Sequence, residues 1–254
     1  MPKQETQTRT TRPQDAIAEI MHLIQRKRPV MIWGAPGIGK SDIIQEIGNR
    51  LKRNVIDLRL LLMEQTDLRG IPYYNKDKNV MDWAPPVDLP TDPKATDILF
   101  LDEMNAAPPA VQAAAYQLIL NRKIGNYVLP EGVSIVSAGN RETDRGVTYR
   151  MPSPLANRII HIEMEPHFDD WLDYAVKHDI HPDVVGYLTF AKQDLYDFDP
   201  ASSSRGFATP RSWSFVSEVL DDDLPIVQMT DIITGAVGEG LATKFQAHRK
   251  ISGD

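Results

Sequence analysis

Apolar positions along the chain switch between two periods, and the switches mark out alternating strands and helices. Pro29-Val-Met-Ile-Trp33 is a short apolar run suited to a buried strand. After a glycine-rich turn, Ser41-Asp-Ile-Ile-Gln-Glu-Ile-Gly-Asn-Arg50 places Ile43, Ile44 and Ile47 on one helical face. Asn54 to Leu60 reads as a second strand, Asp97-Ile-Leu-Phe-Leu101 as a third, Val133 to Asn140 as a fourth and Ile159-Ile-His-Ile-Glu163 as a fifth. A helix starts at Pro109 and carries Val111, Ala114, Ala115, Leu118 and Ile119 inward. Ahead of the first strand, Thr11-Arg-Pro-Gln14 has the form of a capping box opening a helix with Ile17, Ile20, Met21 and Ile24 on one face. Strands and helices that alternate in this way predict an α/β fold, a three-layer αβα sandwich around a parallel sheet.

Two segments depart from that alternation. Residues 64–92 are rich in Pro, Gly, Asp and aromatics, and Pro72 to Met81 has two short apolar stretches around a polar turn, the pattern of a hairpin with a four- or five-residue connection. Beyond Pro166 the texture is helical without strands. Trp171, Leu172 and Ala175 share one face, Val184, Leu188, Ala191 and Leu195 another, and Thr209-Pro-Arg-Ser212 opens a helix that turns Trp213, Val216 and Leu220 inward. The expected organisation is a disordered tail over 1–10, an αβα core over 11–165 with a hairpin-like insert over 64–92, and a small all-α lid over 166–254.

The chemistry follows from what stands at the strand ends. Gly34-Ala-Pro-Gly-Ile-Gly-Lys-Ser41 satisfies G-x-x-x-x-G-K-[ST] between a strand and a helix, the context that motif requires. Gly34, Ala35, Pro36, Gly37, Ile38 and Gly39 then wrap backbone N–H groups around phosphates at a helix N-terminus, Lys40 reaches the β and γ phosphates, and Ser41 ligates Mg²⁺. Asp102 and Glu103 stand at the C-terminal end of the third strand, where ligands of open α/β sheets bind. Asp102 is expected to hold the Mg²⁺ through water and Glu103 to act as general base on the attacking water. Asn140, at the tip of the strand expected alongside, is placed to hydrogen-bond the same water, although an Asn after Gly139 also suits a turn.

Composition narrows the setting. The 254 residues carry a net charge of −7, which disfavours wholesale binding of nucleic acid or an anionic membrane. No cysteine is present, so there is no disulfide framework and no thiolate zinc site. The polar start of the chain and the lack of any long apolar run lead to the expectation of a soluble, cytoplasmic protein.

The set of residues resembles the AAA+ ATPases and, within them, the MoxR-like family. The phosphate loop is similar to Walker A. Leu101-Asp-Glu-Met-Asn-Ala-Ala-Pro-Pro-Ala-Val-Gln112 is similar to the family's extended Walker B block, Ala138-Gly-Asn140 to sensor 1, and Gly206-Phe-Ala-Thr-Pro-Arg211 to the sensor 2 stretch. The resemblance implies ATP and Mg²⁺ as ligands and a ring-forming homo-oligomer, hexameric in the family. It also implies a sensor role for Arg211 and an arginine finger just before the last core strand. Leu155-Ala-Asn-Arg-Ile159 puts Arg158 there, with Arg150 as the alternative, because Asn157 and Ile159 replace the family's usual Asp and aromatic. Residues 66–72 are similar to the start of the family's insert, so Tyr73, Tyr74 and Trp83 either grip a polypeptide or staple the hairpin to the sheet. The implied work is remodelling or assembly of a protein client or adaptor; members of the family work with partners that carry a von Willebrand factor A domain, which here would be a separate chain. A nucleic-acid motor and a slow nucleotide-gated switch are the rival readings. His178 and His181 are expected at helix boundaries rather than on a metal, Asp221-Asp-Asp223 in a solvated loop, and Gly235, Gly238 and Gly240 at a helix break.

Overall fold

A computed structural model describes residues 9–144, 148–220 and 223–252. The chain divides into two compact units, one comprising 1–34 and 40–164, the other 35–39 and 165–254.

The first unit is built on a six-stranded, wholly parallel sheet. Its strands are β1 (Thr10–Thr11), β2 (Val30–Trp33), β3 (Val55–Arg59), β6 (Ile98–Asp102), β9 (Ser134–Gly139) and β10 (Ile160–Met164), in the spatial order β1, β10, β2, β9, β6, β3. Helices α1 (Pro13–Gln25) and α2 (Lys40–Leu51) pack on one face through Ile20, Ile24, Ile44 and Ile47, all of them buried. Helix α4 (Pro109–Asn121) covers the other face, where Val111, Ala115 and Leu118 join Met31, Leu99 and Leu101 in one apolar cluster. A strand covered on both faces needs apolar side chains on both, and β6 is buried from Ile98 to Asp102.

Several details differ from the sequence reading. Thr10, expected in the tail, pairs instead with Glu163 because β1 extends the sheet beside β10; residues 1–8 of that tail lie outside the described residues. The capping box at Thr11 does not form. Thr11 belongs to the strand, Arg12 is the N-cap without a side-chain cap bond, and Pro13 opens α1 with its fixed φ. The insert contains a short helix, α3 (Gln65–Arg69), opened by a capping box between Glu64 and Asp67, before the hairpin of β4 (Ile71–Asn75) and β5 (Val80–Ala84) with its four-residue connection. A second hairpin, β7 (Lys123–Ile124) with β8 (Tyr127–Val128), follows α4 and was not read from the sequence, because two-residue strands carry no periodicity.

In the second unit, α6 (Phe168–Lys177), α7 (Pro182–Phe190), α8 (Pro210–Val219), α9 (Ile226–Val237) and α10 (Glu239–Ser252) enclose an aromatic core. Trp213 and Phe245 are fully buried at 0% exposure, with their rings 5.6 Å apart. The Trp213 indole donates to Asp194 O at 2.9 Å, and the Tyr187 hydroxyl donates to the Asp194 carboxylate at 2.5 Å. Burial and that carboxylate push the Tyr187 hydroxyl well above its ordinary pKa. The face expected from Val184 to Leu195 is interrupted: α7 ends at Phe190 and Leu195 lies in a separate 3₁₀ turn, yet Ala191 and Leu195 stay buried. His178 caps the end of α6 and His181 the start of α7, where its Nδ1 accepts from Asp183 N–H. Gly238 stands at the break between α9 and α10. Asp223 is exposed in the turn after α8, and Asp221 and Asp222 fall outside the described residues. No helix among the described residues is long and apolar enough to cross a membrane.

Candidate functional site

Parallel pairing aligns the C-terminal ends of β2, β6 and β9, and the polar residues that follow them converge. Lys40 is the first residue of α2, and its side chain donates to Gly34 O at 2.7 Å and to Asn140 Oδ1 at 3.1 Å. Ser41 Oγ donates to Asp102 Oδ2 at 3.0 Å. Lys40 and Asp102 are both 8% exposed, which makes them a buried cation and a buried anion on neighbouring strand ends. Glu103 is half-buried and donates its N–H to Asp102 Oδ1 at 2.8 Å. Its φ of +54° is left-handed, a conformation that costs a non-glycine residue roughly 1–2 kcal/mol and clusters at functional sites.

Asn140 is held by a residue the sequence reading gave no task. Asn105 is 1% exposed; its Nδ2 donates to Asn140 O at 2.7 Å and its Oδ1 accepts from Asn140 N–H at 3.2 Å. This reciprocal clamp fixes the backbone of Asn140 so that its side chain faces Lys40. It also requires glycine at 139, where a Cβ would lie 2.3 Å from Asn105 Oδ1 and 2.6 Å from Met31 Cε. Asn105 was visible as the fourth residue of Asp102-Glu-Met-Asn105, but only contact across strands gives it this role.

The loop residues 35–39 belong to the second unit. Ala35 and Ile38 are buried, and Gly37 and Gly39 take φ of +78° and +91°. Gly37 O accepts the Arg211 N–H at 3.1 Å, and a Cβ on Gly37 would stand 2.6 Å from Thr209 Oγ1, the N-cap side chain of α8. The first turn of α8 thus lies against the loop, with the Arg211 side chain exposed.

The model of the AAA domain, dynein-related subfamily, matches residues 29–162, just over half of the chain. The chain belongs to that family. Similar solved folds include a protein of Cytophaga hutchinsonii assigned as an ATPase, at 16% identity and TM-score 0.50, covering 66% of this chain and 51% of that one. The present chain therefore spans about half the length of that relative. The Thermotoga maritima RuvB Holliday junction branch migration motor matches at 16% identity and TM-score 0.47, with 92% and 68% of the two chains covered. NtrX of Brucella abortus matches at 12% identity and TM-score 0.48, with 95% and 69% covered. AAA domains bind nucleotide through such a loop and are as a class ATPases.

The donor set of this AAA domain suits a metal–triphosphate. Ser41 Oγ and the Asp102 carboxylate are adjacent hard oxygen ligands of the kind Mg²⁺ takes, while Lys40 rests on two acceptor oxygens that a phosphate oxygen can replace. Among the described residues no three His, Cys, Asp or Glu side chains are grouped so as to hold a metal ion by themselves.

Other expected residues stand apart from this cluster. Arg158 follows the short helix α5 (Ser153–Ala156), and Arg150 lies in the preceding loop; both are exposed, with no side-chain partner among the described residues. The α5 segment is tied to the strand that feeds the loop. Trp33 Nε1–H donates to His161 Nδ1 at 2.9 Å, and the opposite ring nitrogen of His161 donates to Ala156 O at 2.8 Å, so His161 is held as the Nε2–H tautomer. The insert aromatics divide. Trp83 is anchored, with the Arg69 guanidinium 4.3 Å from its ring centre, whereas Tyr73 and Tyr74 are 47% and 61% exposed.

Proposed function

We propose that this chain is the ATP-hydrolysing module of a MoxR-like AAA+ machine, which assembles into a ring and uses Mg·ATP turnover to remodel or assemble a protein partner. The observation that carries the reading is Lys40 bridging Gly34 O and Asn140 Oδ1 directly beside the Ser41–Asp102 pair. A phosphate-loop cation, a metal-ligand pair and a strand-tip amide then stand within one hydrogen-bonded cluster.

In this mechanism Lys40 and the loop N–H groups bind the β and γ phosphates, and Ser41 and Asp102 would hold the Mg²⁺. The cation, when bound, neutralises charge between those phosphates. Asn140, fixed by Asn105, orients a water in line with the γ-phosphorus. The Glu103 carboxylate takes that water's proton as the new P–O bond forms; the bond from the γ-phosphorus to the bridging oxygen breaks, and ADP leaves with the electron pair. General-base assistance of this kind contributes roughly 10²–10⁴-fold. Arg158 is assigned to the nucleotide of a neighbouring subunit, where an arginine in trans is worth about 10³–10⁵-fold in related phosphoryl transfer. Its side chain is exposed and has no partner among the described residues, which supports that assignment. Arg211, at the start of α8, is assigned to sensing the γ-phosphate, and its backbone bond to Gly37 supports it. The partner is read as a protein because the net charge of −7 opposes a nucleic-acid track.

The test is Glu103→Gln. It is expected to bind a fluorescent ATP analogue as the parent does and to release phosphate at least about 100-fold more slowly. Turnover at the parent rate would end the base assignment. Affinity capture with the same variant in ATP would identify the partner.

A further inference from the structure

The sheet ends at β3, which pairs with β6 on one side only. The ladder decides which of its backbone groups are engaged. Ile98 N–H donates to Asn54 O at 2.8 Å, and along a parallel strand successive residues turn their N–H and C=O to opposite sides. Asn54, Ile56 and Leu58 therefore bond β6. Val55 and Asp57 turn theirs outward, and neither has a backbone partner on that side among the described residues. An open edge of this kind is a template for another strand, and β3 has no proline or bulge to blunt it.

Beside that edge runs a groove of about 550 Å³, lined by Asn54, by Ile56, Asp57 and Leu58 of β3, by residues 87–90, and by Asp97. The 87–90 segment is fixed: Leu89 is 2% exposed, and the Tyr127 hydroxyl donates to Pro90 O at 2.6 Å. Its rim is open, since Val87 is 96% exposed. Asp57, Asp88 and Asp97 line the groove, and no lysine or arginine among the described residues does. Asn54 Nδ2 donates to Asp97 Oδ1 at 2.9 Å and holds that carboxylate at the groove.

We propose that this groove docks an extended basic segment of a partner protein, which adds to the sheet as a strand beside β3 while its lysine or arginine side chains meet Asp57, Asp88 and Asp97. Backbone pairing supplies the affinity and the carboxylates supply the selectivity, a division of labour general to strand addition. A segment of about five residues matches the length of β3 at roughly 3.3 Å per residue. Partial burial, and then the nearby Asp102, hold the Asp57 carboxyl above its ordinary pKa despite Arg59. The groove lies on the first unit alone, and this inference does not depend on ATP hydrolysis.

The test uses the full chain and a dye-labelled acetyl-Val-Lys-Val-Lys-Val-Lys-amide, read by fluorescence anisotropy at low salt. Saturable binding is expected. N-methylation of alternate peptide amides should weaken it by about tenfold or more, because outward hydrogen bonds are lost. The Asp57→Asn, Asp88→Asn double variant should weaken it roughly fivefold, and the Glu-for-Lys peptide should not bind. A photo-crosslinker at the central valine should label residues 54–58 or 87–90. The proposal is overturned by absence of binding at about 1 mM peptide, by equal binding of the N-methylated peptide, or by crosslinks elsewhere. The N-methylated arm uses the parent protein and so stands even if the double variant fails to fold.

Discussion

Strand β6 and the hairpin of β4 and β5 are strands of equal length put to opposite uses. In β6, Ile98, Leu99, Phe100 and Leu101 are all 0% exposed, packed between two helical layers. In the hairpin, Ile71, Tyr74 and Met81 are 65%, 61% and 65% exposed. A strand buried on both faces has no side chain free for chemistry except at its tip, and Asp102 and Glu103 stand there. The hairpin contributes little to the core and is held by local bonds. Asn75 Nδ2 donates to Asp82 at 3.1 Å, and this bond, followed by the Trp83 N–H and the Lys78 ammonium, keeps the Asp82 carboxyl below its ordinary pKa. The Tyr74 hydroxyl donates to Asn79, and Trp83 under Arg69 anchors the base. One strand is fixed so that its end is exact; the other is left open to solvent.

The largest test of that contrast is Phe100→Ala. A cavity under β6 should cost about 3–5 kcal/mol in denaturant unfolding, and a loss below about 1 kcal/mol would mean that the centre of the sheet is looser than its burial indicates. Gly139→Ala comes next. Its Cβ must displace Asn105 or Met31, so we expect about 1–3 kcal/mol of destabilisation together with slower ATP turnover, since the clamp on Asn140 moves. Full activity in a folded Gly139→Ala protein would remove Asn105 from the list of positioning residues.

Tyr127 gives a smaller, pH-dependent effect between the two extremes. Burial chiefly, with Asp97 adding and Arg122 opposing, pushes its hydroxyl from 10.0 up to about 12. A folded pKa raised above the unfolded one contributes stability that is complete below about pH 10 and lost as pH rises through about 12. Tyr127→Phe should therefore lose about 1 kcal/mol at neutral pH with the bond to Pro90 O, and its stability should fall less steeply than the parent's between those two pH values. Parallel alkaline unfolding curves would contradict the burial of this hydroxyl. The smallest effect is expected from Met81→Ser or Ile71→Ser, within about 0.5 kcal/mol by thermal melt. A large loss at either position would show that the hairpin face is covered in solution.

The unequal legibility of the chain follows the same division. Long apolar runs and the helix after the loop announced β2, β6, β9 and α2, because burial on both faces leaves no alternative to apolar residues. The phosphate loop and Asp102-Glu103 were legible because their chemistry is contiguous in sequence. Thr11 was misread as a cap, since its pairing partner Met164 lies far along the chain. The hairpin β7–β8 and helix α3 are too short for periodicity to register. Whether Tyr73, Tyr74 and Trp83 were staples or free aromatics depended on what lay across from each, and a sequence does not contain that.

The sequence by itself determined the kind of protein: the alternation of buried strands and amphipathic helices, the phosphate loop at the end of the first sheet strand to follow α1, and the acids at the end of another. These depend on local propensity and on contiguous residues, so order along the chain suffices. Tertiary structure alone decided that Asn105 clamps Asn140, that Gly139 is needed for their approach, and that Lys40 bridges two loop ends. It alone placed β3 at the edge of the sheet with an acidic groove beside it. Each of these is a contact between residues distant in sequence, set by strand order, and strand order is fixed only when the whole sheet packs.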